Sequence, residues 1–362
     1  MNTALSPGEL VFYPGRPLPS IASHRKALAG LLLRGQPAHM AGVRLPQLYA
    51  LCGQSHRITA SLAIDAALGL RSGATPEECD SLRLETAREH VRRIWLDWPR
   101  WLGGVDGAAH MRHLLACPWL SPAQAGDALA WLEDSVLQGP ARAWLACWQR
   151  DPAGWLGDWA ARTDSLPAQL LRAVECEAAL LPCGAPPLLV HGDVAALRRL
   201  ARALAGDAGF AQLPVCDGQV RETGVASRLA HAWRAAPSTL WLRLGSRIAE
   251  LAELALAGHG EAASPLALGA LDLGQGCALA WSEMARGLLL HWVRLEQRDG
   301  KAVIGDYRVV APTEWNFHPR GAVAQSLAGM APVANARDWR QLGILAAAYD
   351  PCINFRIEYE HA

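Results

Sequence analysis

The chain has 362 residues, 51% of them hydrophobic, with 34 basic and 34 acidic side chains and no formal net charge. That length accommodates one large domain or two modest ones, and the apolar content with 15 Trp excludes a disordered chain. The even charge balance, without a long single-sign block, removes the basic footprint that nucleic acid or an anionic membrane surface would need. The start, Met1 to Gly15, lacks the basic-then-apolar order of a signal peptide and carries no twin-arginine pair. Apolar stretches such as Leu251 to Ala257 are broken too early to span a bilayer. Nine cysteines stand singly with no Cys-x-x-Cys, which disfavours a disulfide framework or zinc knuckle and points to reduced thiols in the cytoplasm.

In chain order, the first signal is Leu51-Cys52-Gly53-Gln54-Ser55-His56, ahead of an apolar helical stretch through Leu70. Leu84, Ala87, Val91, Ile94, Trp95 and Trp98 then fall on one helix face, and Pro99 is expected to end that run. Ser121-Pro122 reads as a cap and first helical position, opening a helix through Leu137. Ser165 and Pro167 open another towards Leu181, stopped by Pro182, with a loop over 182–187. His191-Gly192-Asp193 reads as a turn into a helix that uses Val194, Leu197, Leu200 and Leu204 and closes at Gly206. Leu240, Leu244, Ile248 and Leu251 mark a further helix ending near Gly258. Past Leu290 the pattern changes: His291 to Gln297 and Ala302 to Val310 flank Asp299-Gly300, a hairpin signal. The expected fold is mainly α with a small β element, in a single domain over residues 1–362.

Two cysteines stand out by context. Cys52 lies at a loop-to-helix junction, where a helix dipole is expected to lower a thiol pKa, and Cys352 closes Asp350-Pro351-Cys352 near the chain end. Each alone reads more readily as a small buried hydrophobe than as a ligand. Glu89-His90 lacks the second histidine of a helical zinc site, since Ile94 stands there, and Arg88, Arg92 and Arg93 read as a solvated helix face. No phosphate-binding or dinucleotide glycine loop occurs.

Taken together, four motifs resemble the nickel–iron hydrogenase large subunit in that family's order. The run Leu31 to Leu70 resembles its N-terminal cysteine region, and Glu283-Met284-Ala285-Arg286-Gly287 its Glu-x-Pro-Arg-Gly segment. Ala311-Pro312-Thr313-Glu314-Trp315-Asn316 resembles the segment that follows, and Asp350-Pro351-Cys352 the closing Asp-Pro-Cys. The departures are as informative. The family carries Cys-x-x-Cys at both ends and bridges its two metals with the second cysteines, where this chain has Ser55 and Phe355. Serine is a poor substitute for a thiolate and phenylalanine cannot ligate. Thr59 and Glu358 stand where the family has histidines and Ala285 where it has proline; with only Tyr359 to Ala362 after Glu358, a protease-gated maturation step like that of the family's enzyme precursors is not expected.

These features resemble the HupK/HoxV-type hydrogenase formation proteins. That resemblance implies a hydrogenase maturation factor, itself not a hydrogenase, acting as scaffold or carrier for an Fe(CN)2CO group. It implies Cys52 and Cys352 as metal ligands, with Arg286, Pro312 and Thr313 around the cyanides, which accept hydrogen bonds and carry negative charge. It further implies transient iron without nickel, and as partners a HypC-type metallochaperone with its maturation complex and the hydrogenase large-subunit precursor. Two other readings remain at the level of sequence: an oxidoreductase with a mononuclear iron site, and a metal-free interaction protein. The central region, about 100–280, resembles the family only in helical character.

Overall fold

A computed structural model describes residues 8–103, 105–120, 126–189, 192–233 and 237–358. Ser121-Pro122, His191 and the last four residues lie outside the described residues. Helices dominate, and the longest, Leu240–Gly258, is buried on nearly every side. A helix with no free face must sit at the centre of its neighbours. This one packs against helices Pro76–Arg92, Leu166–Leu180 and Ala336–Tyr349. Its charged residues Arg243, Arg247 and Glu250 are buried with it.

The β element is larger than a hairpin. Strands β3 (Leu268–Gly274), β4 (Cys277–Met284), β5 (Gly287–Arg298) and β6 (Lys301–Val310) form one antiparallel sheet in sequence order. The β5–β6 turn is the expected one: Asp299 and Gly300 both take positive φ (51° and 70°), as a two-residue turn matched to strand twist requires. Both faces are covered. Leu289 and Val293 join the core that includes Ile58, Leu62 and Ala66 of helix Gly53–Ala67. Leu288, Leu290 and Trp292 pack with Leu197, Leu200 and Leu204 of helix Val194–Gly206 on the other side. Burial on two faces explains why β5 reads as an apolar run instead of an alternation. A second sheet, order β2-β1-β7, joins the chain's two ends: β1 (Leu10–Phe12) pairs antiparallel with β2 (Ile21–Ser23) and parallel with β7 (Phe355–Ile357).

Two local expectations change. Pro99 does not end the helical run. The chain widens into a π-helical turn at Arg93–Asp97 and continues as Trp98–Leu102, with Pro99 in the first turn of that segment, where a missing N–H costs little. Gly103, at φ 68°, is the actual stop. The helix through Leu137 begins at Ala128 among the described residues, capped by Asp127, and also ends in a π turn.

Candidate functional site

Cys52 closes a 3-10 turn, Ala50–Cys52, and immediately precedes helix Gly53–Ala67. The first N–H groups of that helix need acceptors. Glu85, from helix Pro76–Arg92, supplies them: its carboxylate accepts from the backbone N–H of Gln54 and Ser55 at 2.8 Å each, and from the Ser55 hydroxyl. Ser55 therefore anchors the cysteine loop to a neighbouring helix. Cys52 is buried, and burial raises its thiol pKa; Cys352 adds to the rise and Arg286 opposes it. The lowering expected from the helix dipole is overturned, because desolvation of the thiolate outweighs a partial charge at the helix end.

Cys352 is set by the end of helix Ala336–Tyr349. Asp350 caps that helix in the left-handed region (φ 51°, ψ 72°), and Pro351 directs the chain into Cys352 ahead of β7. Thr313 sits in the first turn of helix Pro312–Asn316, behind the N1 proline, and its Oγ1 lies 2.9 Å from Cys352 Sγ. Arg25 Nη1 donates to the same sulfur at 3.4 Å and its Nε to Glu314 at 2.8 Å.

Arg286 occupies the two-residue turn between β4 and β5, where Met284 pairs with Gly287. Gly287 is required there: at φ 131°, a Cβ would meet Thr223 Cγ2 at 2.7 Å. Arg286 is 3% exposed. Its Nη2 donates to Glu89 at 3.1 Å and its Nε lies 3.2 Å from Asp350 Oδ2. Nη1 is buried with no hydrogen-bond partner among the described residues. Burial works against the guanidinium, but Asp350 and Glu89 outweigh it, with smaller contributions from the sulfurs of Cys352 and Cys52. Arg286 is thus the electrostatic link between the two cysteines.

A buried charge network surrounds these residues. Asp350 faces Arg93 Nε at 2.9 Å, Arg286 and, at 3.6 Å, Arg247 Nη1. Burial pushes its carboxyl up, yet Arg286, Arg247 and Arg93 together hold it below the ordinary value. Behind it, Arg247 Nη1 donates to His90 Nδ1 at 3.2 Å, which leaves the proton of neutral His90 on Nε2, 2.5 Å from Glu250. Arg228 Nε and Nη2 grip Glu250 at 2.6 and 2.8 Å, and its Nη1 reaches Glu283. On the other flank, His56 Nδ1 lies 3.0 Å from His291 Nε2, and His291 Nδ1 lies 2.7 Å from the Tyr307 hydroxyl. Burial pushes His291 down to about 3, so this chain is neutral.

Cys352, Thr313 and Arg286 with Cys52 converge on one region, with Pro312 buried beside Thr313. Phe355 stacks on Phe12 with ring centroids 4.6 Å apart. Thr59 is buried and bonds Ser282 Oγ at 2.7 Å, while Glu358 pairs at the surface with Arg356. Arg93 departs from expectation: it is half-buried and pairs with Asp97 and Asp350. Glu85, Glu89, Asp350, Arg247 and Arg25 escaped the sequence reading as site residues. The spacing Glu85, Glu89, Arg93, one helical face, was the available signal. Among the described residues no three His, Cys, Asp or Glu side chains gather as a ligand set. A cleft of about 580 Å3, lined by Glu89, Arg93, Asp97, Trp101 and Phe355, opens on Cys352.

Residues 234–357 match the nickel-dependent hydrogenase family. The whole fold is similar to a single-residue variant of the [NiFeSe] hydrogenase from Desulfovibrio vulgaris Hildenborough, with a TM-score of 0.57 over 92% of each chain and 16% identity. In sequence, the chain is 47% identical over 366 residues to hydrogenase expression/formation protein HoxV of Cupriavidus necator, covering 97% of this chain and 95% of that protein. It is 30% identical to hydrogenase expression/formation protein HupK of Bradyrhizobium diazoefficiens, over 91% of this chain and 90% of that protein. The chain belongs to the HupK/HoxV family of hydrogenase expression/formation proteins, built on the fold of the nickel–iron hydrogenase large subunit.

Proposed function

We propose that the chain is a hydrogenase maturation factor, not a hydrogenase, and that its cargo is an Fe(CN)2CO group held transiently by Cys52 and Cys352. The names of its relatives support the maturation role. The cargo reading rests on one arrangement: two thiols share an electrostatic neighbourhood with Arg286, whose buried Nη1 has no partner among the described residues. An unpartnered guanidinium N–H beside two potential thiolates suits iron that carries cyanide, because cyanide accepts a charge-assisted hydrogen bond. Thr313 Oγ1 and the turn at Pro312 complete the polar lining. Ser55 is committed to Glu85 and Phe355 to Phe12, so neither substitutes for a bridging thiolate, and nickel is not expected. A grip of two thiolates is weaker than four, which suits a carrier that must release its load. By family resemblance, a HypC-type metallochaperone would supply the iron group and the large-subunit precursor would receive it.

Infrared spectra of protein purified without oxygen, from cells that make the cofactor, test this reading. Wild type should show cyanide and carbon monoxide bands, and Cys52→Ala and Cys352→Ala should lose them while keeping the fold. Arg286→Ala should keep weaker, shifted cyanide bands, since it removes a hydrogen bond worth about 1.5–3 kcal/mol. Full bands in both cysteine variants would put the iron elsewhere.

A further inference from the structure

Arg25 reaches the site from the far end of the sequence. It follows β2, its carbonyl accepts from Gln212 Nε2 at 3.1 Å, and its side chain is only 11% exposed. The guanidinium is divided between two partners: Nε on Glu314 Oε1 and Nη1 on Cys352 Sγ. Glu314 thus orients the group from one edge and leaves the other edge on the sulfur. Burial opposes the charge but Glu314 and Cys352 favour it more, so Arg25 remains a fixed cation. With Arg286, two permanent positive charges border the two thiols.

These charges discriminate between metals by what the metal carries. Iron(II) with two cyanides and carbon monoxide is neutral as a unit and meets no net repulsion from Arg25. A bare divalent cation brings two positive charges to a sulfur already hydrogen-bonded to a guanidinium. Glu314 offsets part of this field: its Oε1 is engaged by Nε and its Oε2 is buried without a hydrogen-bond partner among the described residues, while Nη1 is the group that touches sulfur. We infer that Arg25 is a specificity-determining residue: it makes the Cys352 side of the site a poor holder of bare divalent cations and leaves it open to a neutral iron group. This inference rests on the cargo reading above for its second half only.

Zinc is the probe, because it takes thiolates readily and needs no maturation machinery. Full-length protein from cells lacking the cofactor pathway would be titrated with Zn2+ against a chromophoric chelator. Arg25→Gln should bind zinc on the order of ten- to hundredfold more tightly than wild type, the scale of removing one charge a few ångströms from a dication. Arg25→Lys, which restores the charge, should stay near wild type. Adding Cys352→Ser to Arg25→Gln should abolish the gain and separate Cys352 from the other eight cysteines. If Arg25→Gln folds poorly, Arg25→Met keeps the packed stem and carries the same comparison. Unchanged zinc affinity in the neutral variants, or an equal gain in Arg25→Lys, would overturn the inference. The zinc experiment and the infrared experiment fail independently: zinc exclusion without cyanide bands leaves Arg25's role and removes the cargo, and the converse removes Arg25's role alone.

Discussion

Asp350 shows how much of the site is electrostatic. Three guanidiniums, from Arg93, Arg247 and Arg286, meet one carboxylate that is 1% exposed. Asparagine also tolerates the left-handed conformation found there, so Asp350→Asn removes the charge with little change in backbone preference. Three cations, two of them buried, would then lack their shared anion, and the expected loss is about 3–5 kcal/mol in denaturant unfolding. A loss of less than about 1 kcal/mol would mean that the pairs are screened like surface ones. The sequence made Cys52, Cys352, Arg286 and Thr313 legible because each sits in a short motif. Their counter-ions were not legible. Glu89 and Arg93 look like any charges on an amphipathic helix, and only tertiary packing brings Glu89 to Arg286 and Arg93 to Asp350.

At the level of elements, positions with a local cause were readable and positions with a tertiary cause were not. Asp193 caps its helix through the Ala195 N–H, and Asp299-Gly300 forms the turn its residues prescribe. Strands β3 and β4 were missed, since Ala278 and Ala280 face one side of a doubly covered sheet and Leu279 the other, erasing the period of two. The β4–β5 turn matters most, because it aims Arg286. Gly287→Ala would place a methyl 2.7 Å from Thr223 Cγ2 and 2.9 Å from the Gly224 nitrogen, at φ 131°. The cost should be about 1–3 kcal/mol, read as a lower urea midpoint with an unchanged slope. A midpoint equal to wild type would show that the turn relaxes freely and does not fix Arg286.

Across the whole molecule, one helix carries two glutamates whose effects on stability run oppositely with pH. Leu240–Gly258 carries Glu250 and, one turn on, Glu253, and their surroundings push them in opposite directions. Burial raises Glu250, but Arg228 and His90 outweigh it and hold it at about 2. Glu253 gains no comparable partner: burial and then Glu250 raise it to about 8, with Arg228 opposing. In an unfolded chain a glutamate titrates near about 4.3. Between that pH and about 8, the folded protein keeps a proton on Glu253 that the unfolded chain releases. Stability contributed by this group is therefore full below the unfolded value and is lost as pH rises through the folded one. Glu253→Gln stays neutral in both states and removes this loss. Thermal unfolding should find the two proteins alike at about pH 4, the lower edge of that window. The variant should melt progressively higher as pH rises, with the gain levelling off above about 8. A gain confined to acid pH, or none at any pH, would show that Glu253 is ionised in the folded protein and that its carboxylate has found water or a cation.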